Sequence, residues 1–155
     1  GRGPHESYWD RKTGAAIGVY KGSVWEQYHP YVRPQETGNK TETRWIVLQN
    51  KKGVGLAAFG RPWLSSSAYQ FANSDLDHVS AQVYNRHTTD VVPRNLVTLN
   101  LDFAQMGVGG DNSWGARTHK EYTLPAKNYS YRFRLCPVTT KSNLTDLSIR
   151  KFPEY

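Results

Sequence analysis

Four stretches of the chain carry side chains able to do chemistry. GRGPHESYWDR, residues 1–11, gathers His5, Glu6, Asp10 and Arg11 with two aromatics behind a Gly-x-Gly-Pro turn. Imidazole and carboxylates so close together could ligate a metal or exchange protons. The spacing matches no metal motif. The plainer reading is a buried polar turn in which Glu6 or Asp10 pairs with Arg11 or with backbone N–H groups. YHPYVRPQETGNK, residues 28–40, adds His29 and Glu36 to a segment stiffened by Pro30 and Pro34. Cys136 falls late in a candidate strand, a position more typical of inert packing than of a nucleophile.

The fourth stretch, MGVGGDNSW at residues 106–114, places three glycines and three small polar residues before a tryptophan. Gly107, Gly109 and Gly110 can take positive φ or admit another backbone at close range. The GxGxxG spacing is absent, so this is no phosphate loop. One reading is a connection whose Trp114 packs back on the core. The other is a loop that presents Trp114 as a flat wall. The face of an indole complements the C–H face of a pyranose, of galactose especially, whose axial hydroxyl leaves one side apolar.

No catalytic residue is assigned. A glycosidase needs two carboxylates held about 5–9.5 Å apart. Glu6, Asp10, Glu26, Glu36, Asp102 and Asp111 are available, and no spacing singles out a pair. A Gly-x-Ser-x-Gly elbow is missing.

The elements that must position these groups are strands. The chain has 155 residues, room for one domain with a real core. Its five Trp, ten Tyr and five Phe favour pleated, half-buried surfaces. Period-2 alternation runs through Val97–Phe103 and through Tyr129–Cys136, where Tyr129, Tyr131, Phe133 and Leu135 share one face. Thr43–Gln49 and Val54–Phe59 are apolar on both faces, as strands covered on two sides are. Val19–Tyr28 and His119–Leu124 are further candidates. Turns are predicted at Gly38–Lys40, Asn50–Gly53, Gly60–Pro62, Pro93–Asn95 and Pro125–Asn128. Ser74–Ala81 reads as a short helix capped by Ser74. The expected fold is an all-β antiparallel sandwich with at most one short helix. Residues 1–137 form the sandwich segment. Residues 138–155 form a polar tail or an added edge strand.

The net charge of +7 and pI of about 9.6 invite a nucleic-acid reading. The distribution argues against it: no run of Lys or Arg exceeds two, and acidic residues are interspersed. No segment approaches the ~20 apolar residues of a membrane helix. Neither nucleic acid nor membrane is an expected partner. A single cysteine leaves the redox compartment open. Asn-x-Ser/Thr sequons stand at Asn39, Asn128 and Asn143. The chain starts at Gly1 and its only methionine is Met106, so the expectation is a processed product or a segment of a longer protein.

Three collinear segments carry a resemblance. GRGPHESYWDRKTGAAIGVY, YHPYVRPQETGNKTETRW and LDFAQMGVGGDNSWGARTHKEYTLPAKNYSYRF resemble the C-terminal small-chain domain of glycoside hydrolase family 2 β-galactosidases, and only its second half. The patterns GxGPxExYxDR, PYVxPxExGN and MGxGGDxSW are specific to that domain. The resemblance implies a segment of a supersandwich similar to galactose mutarotase. It implies a parent enzyme that hydrolyses terminal β-galactosides with retention, using two glutamates in a (β/α)8 barrel that precedes this segment. Magnesium and sodium sites would lie in other domains, so no cofactor is expected in this chain. Trp114 would line the mouth of the substrate pocket, and Asp111, Asn112 and Ser113 would shape its loop. Some members carry Asp where Asn112 stands. The expected partners are a β-galactoside, the barrel of the parent chain and a homo-oligomer. A bacterial parent would place the chain in the cytoplasm or periplasm. A half-sandwich would also expose strand edges and apolar faces, so dimerisation or a docked tail is expected to cover them. Two rival readings remain: a stand-alone carbohydrate-binding module, and a mutarotase-like enzyme built on His5, His29, Glu6 and Glu36.

Overall fold

A computed structural model describes residues 1–77 and 87–153. The chain is all-β and antiparallel. A two-stranded ribbon joins β1 (Arg2–Gly3) to β2 (Ala16–Ile17). The main sheet holds β3 (Lys40–Gln49), β4 (Gly55–Tyr69), β5 (Thr98–Asp102) and β6 (Arg132–Val138). Strand β4 is its axis. β3 runs along one side of it, while β6 and β5 share the other side end to end.

The β3–β4 hairpin closes where the sequence predicts a turn. Asn50 Oδ1 accepts the N–H groups of Lys52 and Val54 at 2.9 and 3.2 Å, and Gly53 takes φ +76°. An asparagine side chain that bonds backbone two residues on is a turn former in its own right. The predicted turn at Gly60–Pro62 is different: it lies inside β4. Trp45 pairs with Phe59 and Thr43 with Leu64, so β4 carries extra residues that β3 does not match. Proline cannot donate to a ladder, and a bulge is where a strand tolerates it. The bulge falls where β6 ends its pairing and β5 begins, at Arg61 and Ser65.

Two buried clusters hold the sheet. Tyr69, Phe71, Leu76 and Val91 form one, with the Tyr69 and Phe71 rings stacked at 5.0 Å. Ala57, Phe59 and Val138 form the other, against Trp45, Val47, Cys136, Leu144, Leu147 and Phe152. The last three come from the segment 138–153, which packs against this cluster. The segment folds as α1 (Leu144–Ile149), capped by Asn143 Oδ1 accepting the Asp146 N–H at 3.2 Å. Arg134 reaches across to the Leu147 carbonyl and lies over the rings of Phe59 and Phe152.

The tail selects which face of β6 is buried. Cys136 and Val138 pack beneath it, and Tyr131, Phe133 and Leu135 remain exposed. Other expectations are corrected. Val19–Tyr28 contains only a 3-10 turn at Trp25–Gln27, and His119–Leu124 only one at Lys120–Tyr122. The predicted helix at Ser74–Ala81 is a 3-10 turn, Asn73–Leu76, as far as Asp77; its remainder lies outside the described residues. Among the described residues no helix is long and apolar enough to cross a membrane. The sequon residue Asn39 is buried and donates its amide to the Ser7 carbonyl, so its nitrogen is not open to a glycan in the folded chain.

Candidate functional site: the glycine-rich loop

Trp114 does not pack on the core. It is 93% exposed, at the tip of the loop that follows β5.

The loop is braced at its root and open at its tip. The Gly107 N–H donates to the Tyr122 carbonyl at 2.8 Å, and Thr118 Oγ1 donates to the Gly107 carbonyl at 2.9 Å. Gly109 donates its N–H to Asp10 Oδ2 at 2.7 Å. The glycines serve close approach and not positive φ. A Cβ on Gly107 would meet the Asp10 side chain at 2.8 Å, and one on Gly110 would meet the Ala116 carbonyl oxygen at 2.1 Å. The tip is an Asx-type turn, in which Asn112 Oδ1 accepts the Trp114 N–H at 2.8 Å. Asp111 Oδ1 bonds His119 Nε2 at 2.7 Å. That bond and the Asp111 charge hold the His119 imidazole above its ordinary range. Ser113 is exposed beside them. The loop thus brings Asp111, Asn112, Ser113 and Trp114 together on one exposed surface.

The other candidate residues stay apart from it. Glu6 accepts hydrogen bonds from the Tyr31 hydroxyl, Arg11, Thr37 and the Gly38 N–H. Burial pushes its carboxyl up, yet these donors outweigh burial and leave it below the usual range. Glu36 lies deeper and receives the hydroxyls of Tyr8 at 3.1 Å and Tyr69 at 3.3 Å. Its burial wins, and its carboxyl sits above the usual range. Both glutamates are consumed by internal hydrogen bonding. His5 is exposed, and the His29 ring packs edge-on against Tyr31 at 4.5 Å. Glu6 therefore pairs with Arg11 as the polar-turn reading expects, and Asp10 with a backbone N–H. Among the described residues no three His, Cys, Asp or Glu side chains gather to hold a metal ion.

The sequence allows Asp10 a backbone N–H partner but does not say which one. Its role as the loop's anchor, and that of Tyr122, Thr118 and His119 behind it, escaped sequence reasoning. The Asx-turn signature Asp-Asn-Ser before the tryptophan was the readable signal for the tip.

The family described as Beta galactosidase small chain matches residues 1–135, and the chain belongs to it. The chain is 45% identical over 139 residues to a β-galactosidase of Priestia megaterium, covering 89% of this chain and 13% of that protein. It is 34% identical over 135 residues to one of Pseudoalteromonas haloplanktis, covering 87% and 12%. To one of Lactobacillus delbrueckii subsp. bulgaricus it is 39% identical over 127 residues, covering 82% and 12%. The chain thus spans about an eighth of the length of these relatives and corresponds to one domain of a larger enzyme.

Proposed function

We propose that this chain is the small-chain segment of a β-galactosidase and that Trp114 forms one wall of its galactoside pocket. One observation carries the reading: an almost fully exposed indole stands on a loop braced at Gly107 and Gly109, within the MGxGGDxSW pattern. Asp111, Asn112 and Ser113 fix the angle at which the ring is offered. The hydrolysis of terminal β-D-galactosides rests on two glutamates of a (β/α)8 barrel elsewhere in the parent enzyme, with magnesium and sodium held in other domains. In this reading residues 1–137 are part of a mutarotase-like supersandwich, and residues 138–155 are a tail that covers one of its faces. The segment binds; it does not cleave alone.

Stacking is the contribution expected of the indole. Aromatic pairs add about 0.5–1.5 kcal/mol beyond the area they bury. A sugar held at the wall is oriented for attack by groups that this chain does not contain.

The test is a chimera. The Priestia megaterium β-galactosidase, with its matching segment replaced by this chain, is expected to hydrolyse a β-galactoside, whereas the chain alone does not. Hydrolysis by the chain alone overturns the proposal. So does a folded, assembled chimera without activity.

A further inference from the structure

A cavity of about 320 Å³ opens at the β4 bulge, apart from Trp114. Its walls come from four segments, one of them Thr41 and Glu42 of β3. Trp9 belongs to the 3-10 turn Trp9–Gly14, Trp63 to the bulge, and Phe103 to the residue after β5. Thr41, Glu42, Lys12, Ser65 and Gln105 supply polar groups between the rings. The volume lies at the lower end of the roughly 300–1,000 Å³ found for small-ligand sites, with the aromatic lining and few polar groups typical of them.

The walls are held in place. Trp9 packs edge-on against Tyr122 at 6.4 Å, and the Arg44 guanidinium, which does not line the cavity, lies 4.7 Å from the Trp63 ring centre. Glu42 sits at φ +53°, a conformation that non-glycine residues rarely adopt. It is fixed there by Arg2 Nε at 2.7 Å and Lys12 Nζ at 2.8 Å. Backbone strain that surrounding contacts maintain is common at binding sites. Beyond the cavity the aromatic surface continues. Phe103 packs against Tyr129 and Tyr131, and Tyr131 against Phe133, with ring centres 5.3 to 6.0 Å apart. These three β6-side aromatics are each about 40% exposed.

We infer that this cavity is a saccharide-binding subsite, distinct from the Trp114 surface, in which Trp63 and Trp9 stack on a pyranose ring. Gln105, Lys12 and Glu42 hydrogen-bond its hydroxyls. Phe103 and Tyr131 extend the platform for a second sugar. Rings with an apolar C–H face and a polar rim fit this alternation of indole faces with donors and acceptors. Lys12 already pairs with Glu42, and Gln105 Nε2 donates to Asp102 Oδ2 at 3.1 Å, so a sugar's hydroxyls add to bonds these groups also hold without it. The site needs only residues of this chain, so it stands or falls independently of the Trp114 reading.

The five indole N–H signals of the 15N-labelled chain report which tryptophan meets a sugar. Titration with lactose, cellobiose and methyl β-D-galactopyranoside is expected to shift the Trp63 and Trp9 signals saturably. Trp63→Ala should weaken binding about tenfold as read from the Trp9 signal, and Trp114→Ala should leave it unchanged. Should Trp63→Ala fail to fold, Gln105→Ala is expected to weaken the same response without moving the thermal midpoint. Saturable shifts confined to Trp114 would overturn this subsite while supporting the Trp114 reading. Silent Trp9 and Trp63 signals at high millimolar sugar would overturn it as well.

Discussion

Asp10 Oδ2 accepts the N–H of Gly109 at 2.7 Å, a bond between residues ninety-nine positions apart. It ties the first 3-10 turn of the chain to the loop that carries Trp114. The same turn supplies Trp9 to the cavity at the β4 bulge. Both exposed aromatic surfaces are therefore referenced to one short segment, Trp9–Gly14.

Removing that bond should loosen the loop and leave the sheet intact. Asp10→Ala is expected to cost about 1.5–3 kcal/mol locally, the range for a hydrogen bond to a charged group. Amide hydrogen exchange at Gly109 should speed up accordingly, while exchange in β3 and β4 stays unchanged. Asp10→Asn retains an acceptor and should restore much of the protection. Equal exchange at Gly109 in Asp10→Ala and the wild type would remove Asp10 from the bracing.

Gly110 has no room for a side chain, because the Ala116 carbonyl oxygen stands 2.1 Å from where a Cβ would be. Gly110→Ala should displace the loop at a cost of about 1–3 kcal/mol, as overpacking does. Gly109→Ala meets only Asp10 Oδ2, at 3.0 Å, and should cost less. Thermal unfolding of the two variants orders them, and the reverse order would contradict the geometry.

The Asp111–His119 pair makes the loop pH-sensitive. The His119 pKa is raised, first by the hydrogen bond its ring donates to Asp111 and then by the Asp111 charge. The contribution of protonated His119 is therefore fully present below its ordinary value and is lost as pH rises through the raised one. The Trp114 indole signal should report this titration. In His119→Asn it should be flat over the same range, and a titration that survives the substitution would assign it elsewhere.

Two glutamates should shape acid stability in opposite directions. Burial raises Glu36, so its contribution is present at acid pH and is lost as pH climbs through its raised value. Lys12 and Arg2 lower Glu42 against a smaller effect of burial, so its contribution is present above the ordinary carboxylate range and is lost as pH falls below it. Glu36→Gln, which keeps an acceptor for Tyr8 and Tyr69, should erase the decline on the neutral side. Glu42→Gln should erase the decline on the acid side. Urea midpoints measured across pH 3 to 7, roughly the carboxylate range and its upper flank, separate the two. Parallel curves for both variants would refute the assignment.

Much of the framework was legible because it is local. The β3–β4 hairpin announces itself through Asn50 and Gly53, and β5 and β6 through alternation. The glycine and proline of Gly60–Pro62 signal a break in the ladder, but a sequence does not say whether the strand stops there or bulges and goes on. The outcome depends on β5 and β6 sharing one side of β4, a fact of topology. The facing of β6 was ambiguous for the same reason. Alternation gives two faces, and a tail that carries Leu144, Leu147 and Phe152 decides which of them is covered. Trp114 could be picked out by the glycines and small polar residues before it. Asp10 could not be paired with it, since a hydrogen bond over that separation leaves no periodic trace.

The claim that matters most is that the Trp114 indole meets the galactoside. The direct measurement is steady-state hydrolysis of a β-galactoside by the chimeric β-galactosidase carrying this chain, with and without Trp114→Ala. The account predicts a weaker apparent affinity or a lower kcat/KM by about two- to thirteenfold, the equivalent of roughly 0.5–1.5 kcal/mol of stacking. Kinetic constants unchanged by Trp114→Ala, in an enzyme that assembles normally, would contradict it.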